Sequence, residues 1–186
     1  HSFFLRHTSE FYDFYKSKMI YKDAKPNAAH NGLAELEKAG KLKAILTQNI
    51  DGLHQMAGSK NVLELHGSIH RNYCMKCGQF YDLNYIIESK DIPICSKCEG
   101  IVKPDVVLYE ESLNNQILEN SVNYIKNADV FIIGGTSLSV YPSAGLVNYY
   151  KGDKLILINK TKTPFDSKAH YAFYGSIGEL FLEIFS

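Results

Sequence analysis

Val130-Phe131-Ile132-Ile133-Gly134-Gly135-Thr136-Ser137 decides the fold, and Lys154-Leu155-Ile156-Leu157-Ile158-Asn159 repeats its logic. Each is a near-continuous apolar run of strand length, without the alternation of a sheet that has one wet face. A strand apolar on both sides belongs in a parallel sheet covered by helices above and below. The first run breaks at a glycine-rich turn, where backbone N–H groups can meet phosphate or ribose oxygens, and a helix is expected after Pro142. The turn is not Gly-x-Gly-x-x-Gly, so alone it does not specify a dinucleotide. Asn159, at the tip of the second run, suits a ribose contact or an ordinary turn.

Working outward, the same alternation continues. Upstream lie a helix over 114–126 and a strand at Val106-Val107-Leu108-Tyr109. Further back come strands over 62–65 and 43–47, with a polar loop or helix between them reaching Gly58. A helix opens at Pro26 and Asn27 and stops at Gly40. An amphipathic helix is expected over 8–21, with Phe11, Phe14, Tyr15, Ile20 and Tyr21 as its apolar positions. Downstream, 177–185 reads as a closing helix. From 71 to 104 cysteines, glycines and short polar spacers replace this periodicity. The expected fold is therefore α/β: a Rossmann-like, doubly wound parallel sheet (1–70 and 105–186) with a small inserted zinc-binding module (71–104).

Composition sets the bounds. The 186 residues suit one medium domain with an insertion, and 45% apolar content without repeats indicates an ordered globular chain. Twenty basic and twenty acidic residues give a formal charge of zero, which leaves no electrostatic footprint for nucleic acid or an anionic membrane. No apolar stretch reaches the roughly 18 residues of a membrane span, and no signal peptide is visible. The expectation is a cytoplasmic protein, monomeric by default. The chain starts at His1, with Phe3-Phe4-Leu5 arriving without a leading strand, so a fragment or processed product is expected.

Cys74-x2-Cys77 and Cys95-x2-Cys98 have the spacing of a four-thiolate zinc site. Four protein ligands close the coordination shell, so the metal would be structural rather than catalytic. Two disulfides or four unrelated thiols are the competing reading, and the lack of a secretory signal speaks against it.

Thr47-Gln48-Asn49-Ile50-Asp51-Gly52-Leu53-His54 follows a short strand with side chains too polar for a buried tip unless something hydrogen-bonds to them. They also suit turns and helix caps. His66 ends the next strand beside Gly67, which permits close backbone approach. With an ordinary pKa near ~6.5, a histidine there suits proton acceptance at neutral pH, although lone histidines are often structural. His30 and His54 lie within helical patterns, and His7, His70 and His170 have no polar constellation beside them, so His66 ranks first.

Together these motifs resemble the sirtuin family of NAD-dependent protein lysine deacylases. The resemblance runs nearly end to end: Lys25-Pro26-Asn27-Ala28-Ala29-His30, Thr47 to His54 as quoted, Gln55-x-Ala57-Gly58-Ser59, Glu64-Leu65-His66-Gly67, the four cysteines, Lys103-Pro104-x-Val106-Val107, Gly135-Thr136-Ser137-Leu138, and Ile158-Asn159 followed by Thr163-Pro164. It implies a Rossmann-like large domain, a small zinc module, and a cleft between them for NAD and an acylated lysine. In the family's mechanism the acyl oxygen attacks the nicotinamide ribose at C1′, nicotinamide leaves, and an alkylimidate collapses to deacylated lysine and O-acyl-ADP-ribose. By position His66 would accept the proton through the ribose hydroxyls. Asn49 would order ribose or water, Asp51 would hold the carboxamide, and Gln48 would contact the ribose. Ile50, Gly135, Thr136, Ser137 and Asn159 would complete the NAD contacts, with Ser176 and Ile177 near adenine. Val106, Val107, Leu108 and Tyr109 would pair with substrate backbone as an added strand.

Three departures from the family pattern stand out. Its Gly-Ala-Gly-x-Ser cofactor loop and following Pro-Asp-Phe-Arg segment are absent from this sequence. Its Phe-Gly-Glu is Tyr109-Glu110-Glu111 here, so a permissive glycine becomes a charged residue. The Tyr-x-x-Arg of members that prefer succinyl or malonyl lysine is matched by Tyr12-Asp13-Phe14-Tyr15, so an acetyl or other uncharged acyl group is expected. The leading expectation is a bacterial NAD-dependent deacetylase acting on acetyl-lysine protein or peptide. Alternatives are mono-ADP-ribosyl transfer, and a catalytically incomplete, zinc-stabilised binding fragment.

Overall fold

The computed structural model describes residues 1–185. Among the described residues eight strands run in chain order: β1 (Ile45–Thr47), β2 (Val62–Glu64), β3 (Gly67–Cys74), β4 (Phe80–Tyr81), β5 (Val102–Val106), β6 (Phe131–Gly134), β7 (Leu155–Asn159) and β8 (Tyr171–Tyr174). They form three sheets, ordered β1-β2, β4-β3-β5 and β6-β7-β8. The chain divides into two compact units. One comprises His1–Ala24, Thr47–Gly52 and His66–Leu113; the other comprises Lys25–Leu46, Leu53–Leu65 and the chain from Asn114 onward.

In the second unit β6 pairs with β7 and β7 with β8, all parallel, as the two apolar runs require. Strand β7 shows why its sequence does not alternate. Leu155 and Leu157 join a cluster with Ile125, Leu146, Val147 and Phe165, whereas Ile156 and Ile158 meet Ala29, Leu33, Leu36 and Phe181. Opposite faces of one strand are thus covered by helix Asn115–Lys126 and the 143–149 segment on one side, and by helices Ala28–Lys38 and Ile177–Phe185 on the other. Each fully buried aliphatic side chain contributes about 1.5–3 kcal/mol. Asn27 starts Ala28–Lys38 by accepting from the Ala29 and His30 N–H groups, while the His30 ring returns to its backbone as a capping box.

The first unit is antiparallel. β3 pairs with β4 and β5, and its register shifts between Ser68 and Asn72. Its core joins Phe4, Phe11, Tyr12 and Tyr15 to Ile69, Val102 and Val106. Tyr12 donates its hydroxyl to the Val102 carbonyl, and Phe11 stacks on Tyr15 with ring centres 5.5 Å apart. The residues packed around the cysteines thus extend beyond the 71–104 stretch, because helix Thr8–Phe14 supplies apolar cover that so short a stretch lacks.

Several expectations shift. The strand expected at 106–109 lies at Val102–Val106. Beyond it the Leu108 N–H turns to the Glu111 carboxylate, and Glu110 at φ +77 reverses the chain. The helix after Pro142 is a 3-10 helix, Ser143–Tyr149, whose good helix formers Ala144 and Leu146 are offset by Gly145, Val147 and Asn148. The 8–21 helix is α only to Phe14 and continues as a π-helix over Tyr15–Met19. Strands β3 and β8 lie where the residue pattern signals no strand.

Candidate active site and zinc centre

In the first unit the segment after β1 has no regular secondary structure, and each of its ends is held differently. The Thr47 hydroxyl accepts from the Asn49 N–H at 3.0 Å, as an ordinary turn would. The rest is tied to the chain around β3. His66 Nδ1 lies 3.0 Å from the Gln48 carbonyl oxygen, the Ile69 N–H donates to the Ile50 carbonyl at 3.0 Å, and His70 Nε2 lies 3.0 Å from the Asp51 carbonyl. A carbonyl only accepts, so His66 Nδ1 must carry a proton in that bond. Its Nε2 is then the basic nitrogen of the neutral ring. Gln48, Asn49, Ile50, Asp51 and His66 are therefore brought together, with Asn49 exposed and the other four half-buried. His70, which ranks low in the sequence because no polar constellation lies beside it, belongs to the same group; its partner is 19 positions away.

Gly67 is required by its surroundings. It sits at φ +78, and a Cβ built on it would lie 1.8 Å from the Asp105 carbonyl oxygen. The close pairing of β3 with β5 depends on that missing side chain. Just past the end of β5 the Val107 N–H donates to the His66 carbonyl at 3.0 Å. Val106 is buried, Val107 and Leu108 are half-buried, and the Tyr109 side chain is exposed. Glu110 adopts the left-handed backbone for which the family pattern has glycine, and its carboxylate accepts from the Ser2 N–H at 2.8 Å and the Ser2 hydroxyl at 2.9 Å. Those bonds hold its pKa below the usual carboxylate value.

The four cysteine sulfurs lie within 4.8 Å of one another. Cys74 Sγ is 3.4 Å from Cys98 Sγ, and Cys77 Sγ is 3.6 Å from Cys95 Sγ. Disulfides at ~2.05 Å are excluded, while a tetrahedral zinc with bonds of ~2.3 Å places sulfurs about 3.8 Å apart. Both pairs use one local design. Lys76 N–H and Lys97 N–H each point at the first sulfur of their pair at 3.4 Å, and Gly78 and Glu99 N–H each close on the first cysteine's carbonyl at 2.9 Å. Burial pushes the Cys95 thiol up, but the Tyr81 hydroxyl and the Lys97 and Cys98 backbone groups outweigh it and bring it to about 6. Cys98 moves the other way: the Gly100 backbone group lowers it, but its bonds to the other thiols and its burial outweigh that and push it up to about 12, so it is the four-sulfur geometry that suits zinc, and with four sulfurs the centre is closed.

In the second unit the carboxyl ends of the parallel strands collect the remaining residues. The Gly135 N–H donates to the Ile158 carbonyl at 3.0 Å, Asn159 Nδ2 to the Thr136 carbonyl at 3.0 Å, and the Gly175 N–H to the Asn159 carbonyl at 3.0 Å. Ile177 packs so closely on Gly134 that a Cβ there would meet its Cδ1 at 2.3 Å. Gly135, Thr136, Ser137, Asn159, Ser176 and Ile177 therefore cluster where open parallel sheets bind ligands. Asn159 is committed to the Thr136 backbone, and Ser137 shares a 2.6 Å bond with Ser139.

The chain is similar to known proteins in sequence and in fold. The Sir2 family model matches residues 1–142. An NAD-dependent protein deacetylase of Clostridium tetani (strain Massachusetts / E88) is 65% identical over 181 residues, covering 97% of this chain and 73% of that protein. Among solved structures, a complex of Sir2 with p53 peptide and NAD+ superposes with TM-score 0.91 at 38% identity, covering 98% of this chain and 79% of that one. Sir2 bound to acetylated peptide gives TM-score 0.90 at 37% identity, with coverages of 98% and 79%. A family match across most of the chain, and a relative sharing about two residues in three, place this protein in the Sir2 family.

Proposed function

We propose that this protein is an NAD-dependent protein lysine deacetylase, yielding nicotinamide, O-acetyl-ADP-ribose and deacetylated lysine. The observation that carries the reading is the bond from His66 Nδ1 to the Gln48 carbonyl, which leaves Nε2 basic and fixes the ring beside the Gln48–Asp51 segment. It is supported by the C. tetani relative's description as an NAD-dependent protein deacetylase. NAD, when bound, supplies an electrophilic ribose carbon with nicotinamide as leaving group. His66 Nε2 takes the proton from a ribose hydroxyl, Asp51 holds the carboxamide, Asn49 orders ribose or water, and Gln48 and Ile50 line the same place. Gly135, Thr136, Ser137, Asn159, Ser176 and Ile177 hold the remainder of NAD. Val106, Val107, Leu108 and Tyr109 take the peptide backbone. Zinc on Cys74, Cys77, Cys95 and Cys98 stabilises the fold and takes no part in the reaction.

Helix Thr8–Phe14 and the π-helix after it support an uncharged acyl group. Tyr12 and Tyr15 are both buried in the aromatic core, and a phenol carries no positive charge, so neither offers a cation to an acyl carboxylate. Mass spectrometry of the products from NAD and an acetyl-lysine peptide tests the whole reading. Nicotinamide release that requires the acetyl group, with O-acetyl-ADP-ribose as co-product, supports it. ADP-ribose retained on protein would identify a transferase instead.

A further inference from the structure

We infer that His70 is a positioning residue for Asp51, a role that rests on the deacetylase reading above. Residues 48–52 form no helix or strand, so their backbone carbonyls need partners from elsewhere. Three come from one stretch of chain: the His66 ring for Gln48, the Ile69 N–H for Ile50 and the His70 ring for Asp51. The His66 ring is committed to proton transfer, and the Ile69 donor is main chain. His70 is the side chain in this set with no other task in the reaction, and it holds the far end of the loop.

That end needs holding because of the residue after Asp51. Gly52 sits at φ +74 and, without a side chain, places little restraint on the backbone. The His70 ring supplies the restraint, since a Cβ at position 52 would lie 2.8 Å from its Cδ2 and Nε2. The ring thus packs over the glycine and hydrogen-bonds to the residue before it. Its own backbone is fixed by the register shift of β3 between Ser68 and Asn72, which sends the chain around 70 out of the regular ladder with β5. The irregularity in β3 is the feature that aims His70 at the loop.

The test compares the unaltered chain with His70→Ala and His70→Gln, the latter retaining an N–H donor. In His70→Ala, amide hydrogen exchange across 49–53 should accelerate about five- to tenfold, the scale of one lost hydrogen bond, while β5 keeps its protection. The KM for NAD should rise by a similar factor with the KM for peptide within about twofold, and His70→Gln should recover most of both. Unchanged exchange at 49–53, loosening that spreads equally through β5, or a loosened loop with an unaltered KM for NAD would each overturn the inference. If the unaltered protein releases no nicotinamide, the deacetylase reading fails by itself, and the exchange comparison alone decides whether His70 clamps the loop.

Discussion

His66 is fixed at two points. Its ring bonds to the Gln48 carbonyl, and its own carbonyl accepts from Val107. Only the first depends on the side chain, and the residue is half-buried, so function and folding separate at this position. His66→Ala should lower turnover by at least about a hundredfold, the scale of one general base, while shifting unfolding by no more than about 1 kcal/mol; steady-state kinetics and thermal melts of one preparation check both. Gly67, the next residue, behaves in the opposite way. Any Cβ there enters the Asp105 carbonyl, and φ +78 penalises an L side chain as well. Gly67→Ala should cost at least about 2 kcal/mol in denaturant unfolding and lose activity through the displacement of β3 from β5.

At the scale of elements, helices Ala28–Lys38 and Ile177–Phe185 meet through Gly32. A Cβ at that position would lie 2.6 Å from Phe181 Cδ1 and 3.0 Å from Phe185 Cε2. Alanine would improve intrinsic helix propensity by about 1 kcal/mol, but Phe181 is buried and cannot swing away freely. Overpacking at a close helix contact costs about 1–3 kcal/mol, so Gly32→Ala should be net destabilising by up to about 2 kcal/mol in urea titration. The helical segment carrying Tyr12 and Tyr15 sets a different expectation. Its two phenols face an apolar core with Ile69, Val102 and Val106, and the Lys16 ammonium over the Tyr12 ring is already engaged by Ser89 and the Asp91 carbonyl, so the segment offers a carboxylated acyl chain no dedicated cation. Acetyl-lysine peptide should be turned over at least about tenfold faster than the succinylated peptide in a competition assay; the reverse order would sink this reading.

For the whole molecule, the sheet β6-β7-β8 and the cysteine centre rest on separate clusters of buried side chains. Zinc removal should therefore act unevenly. With a strong chelator at neutral pH, exchange should accelerate around Cys74–Cys98 and along β3 and β5, whereas β6 and β7 stay protected; uniform loss of protection would contradict it. No described helix is long and apolar enough to cross a membrane.

Legibility tracks the range of the forces involved. The apolar runs at β6 and β7 can be read because burial on both faces removes polar residues from the sequence itself. The cysteines can be read because tetrahedral coordination constrains their spacing, and Asn27 because a helix cap is local. β8 cannot: Tyr171, Ala172, Phe173 and Tyr174 are all exposed, so no burial pattern marks them, and it is pairing with β7 that makes them a strand. β3 is hidden by its buried polar residues, Ser68 and Asn72, of which Asn72 Nδ2 is satisfied by the distant Tyr81 carbonyl.

By itself, then, the sequence determined the α/β class, the parallel pairing implied by its unbroken apolar strands, and a four-cysteine spacing that suits zinc, and it singled out His66 as the histidine to test. Only the tertiary structure decided which nitrogen of His66 is basic, why Gly67 has no side chain, and that His70 belongs to the Asp51 loop. Each of those depends on a hydrogen bond or a close approach between residues far apart along the chain, and such contacts leave no pattern in the order of residues until the backbone brings them together.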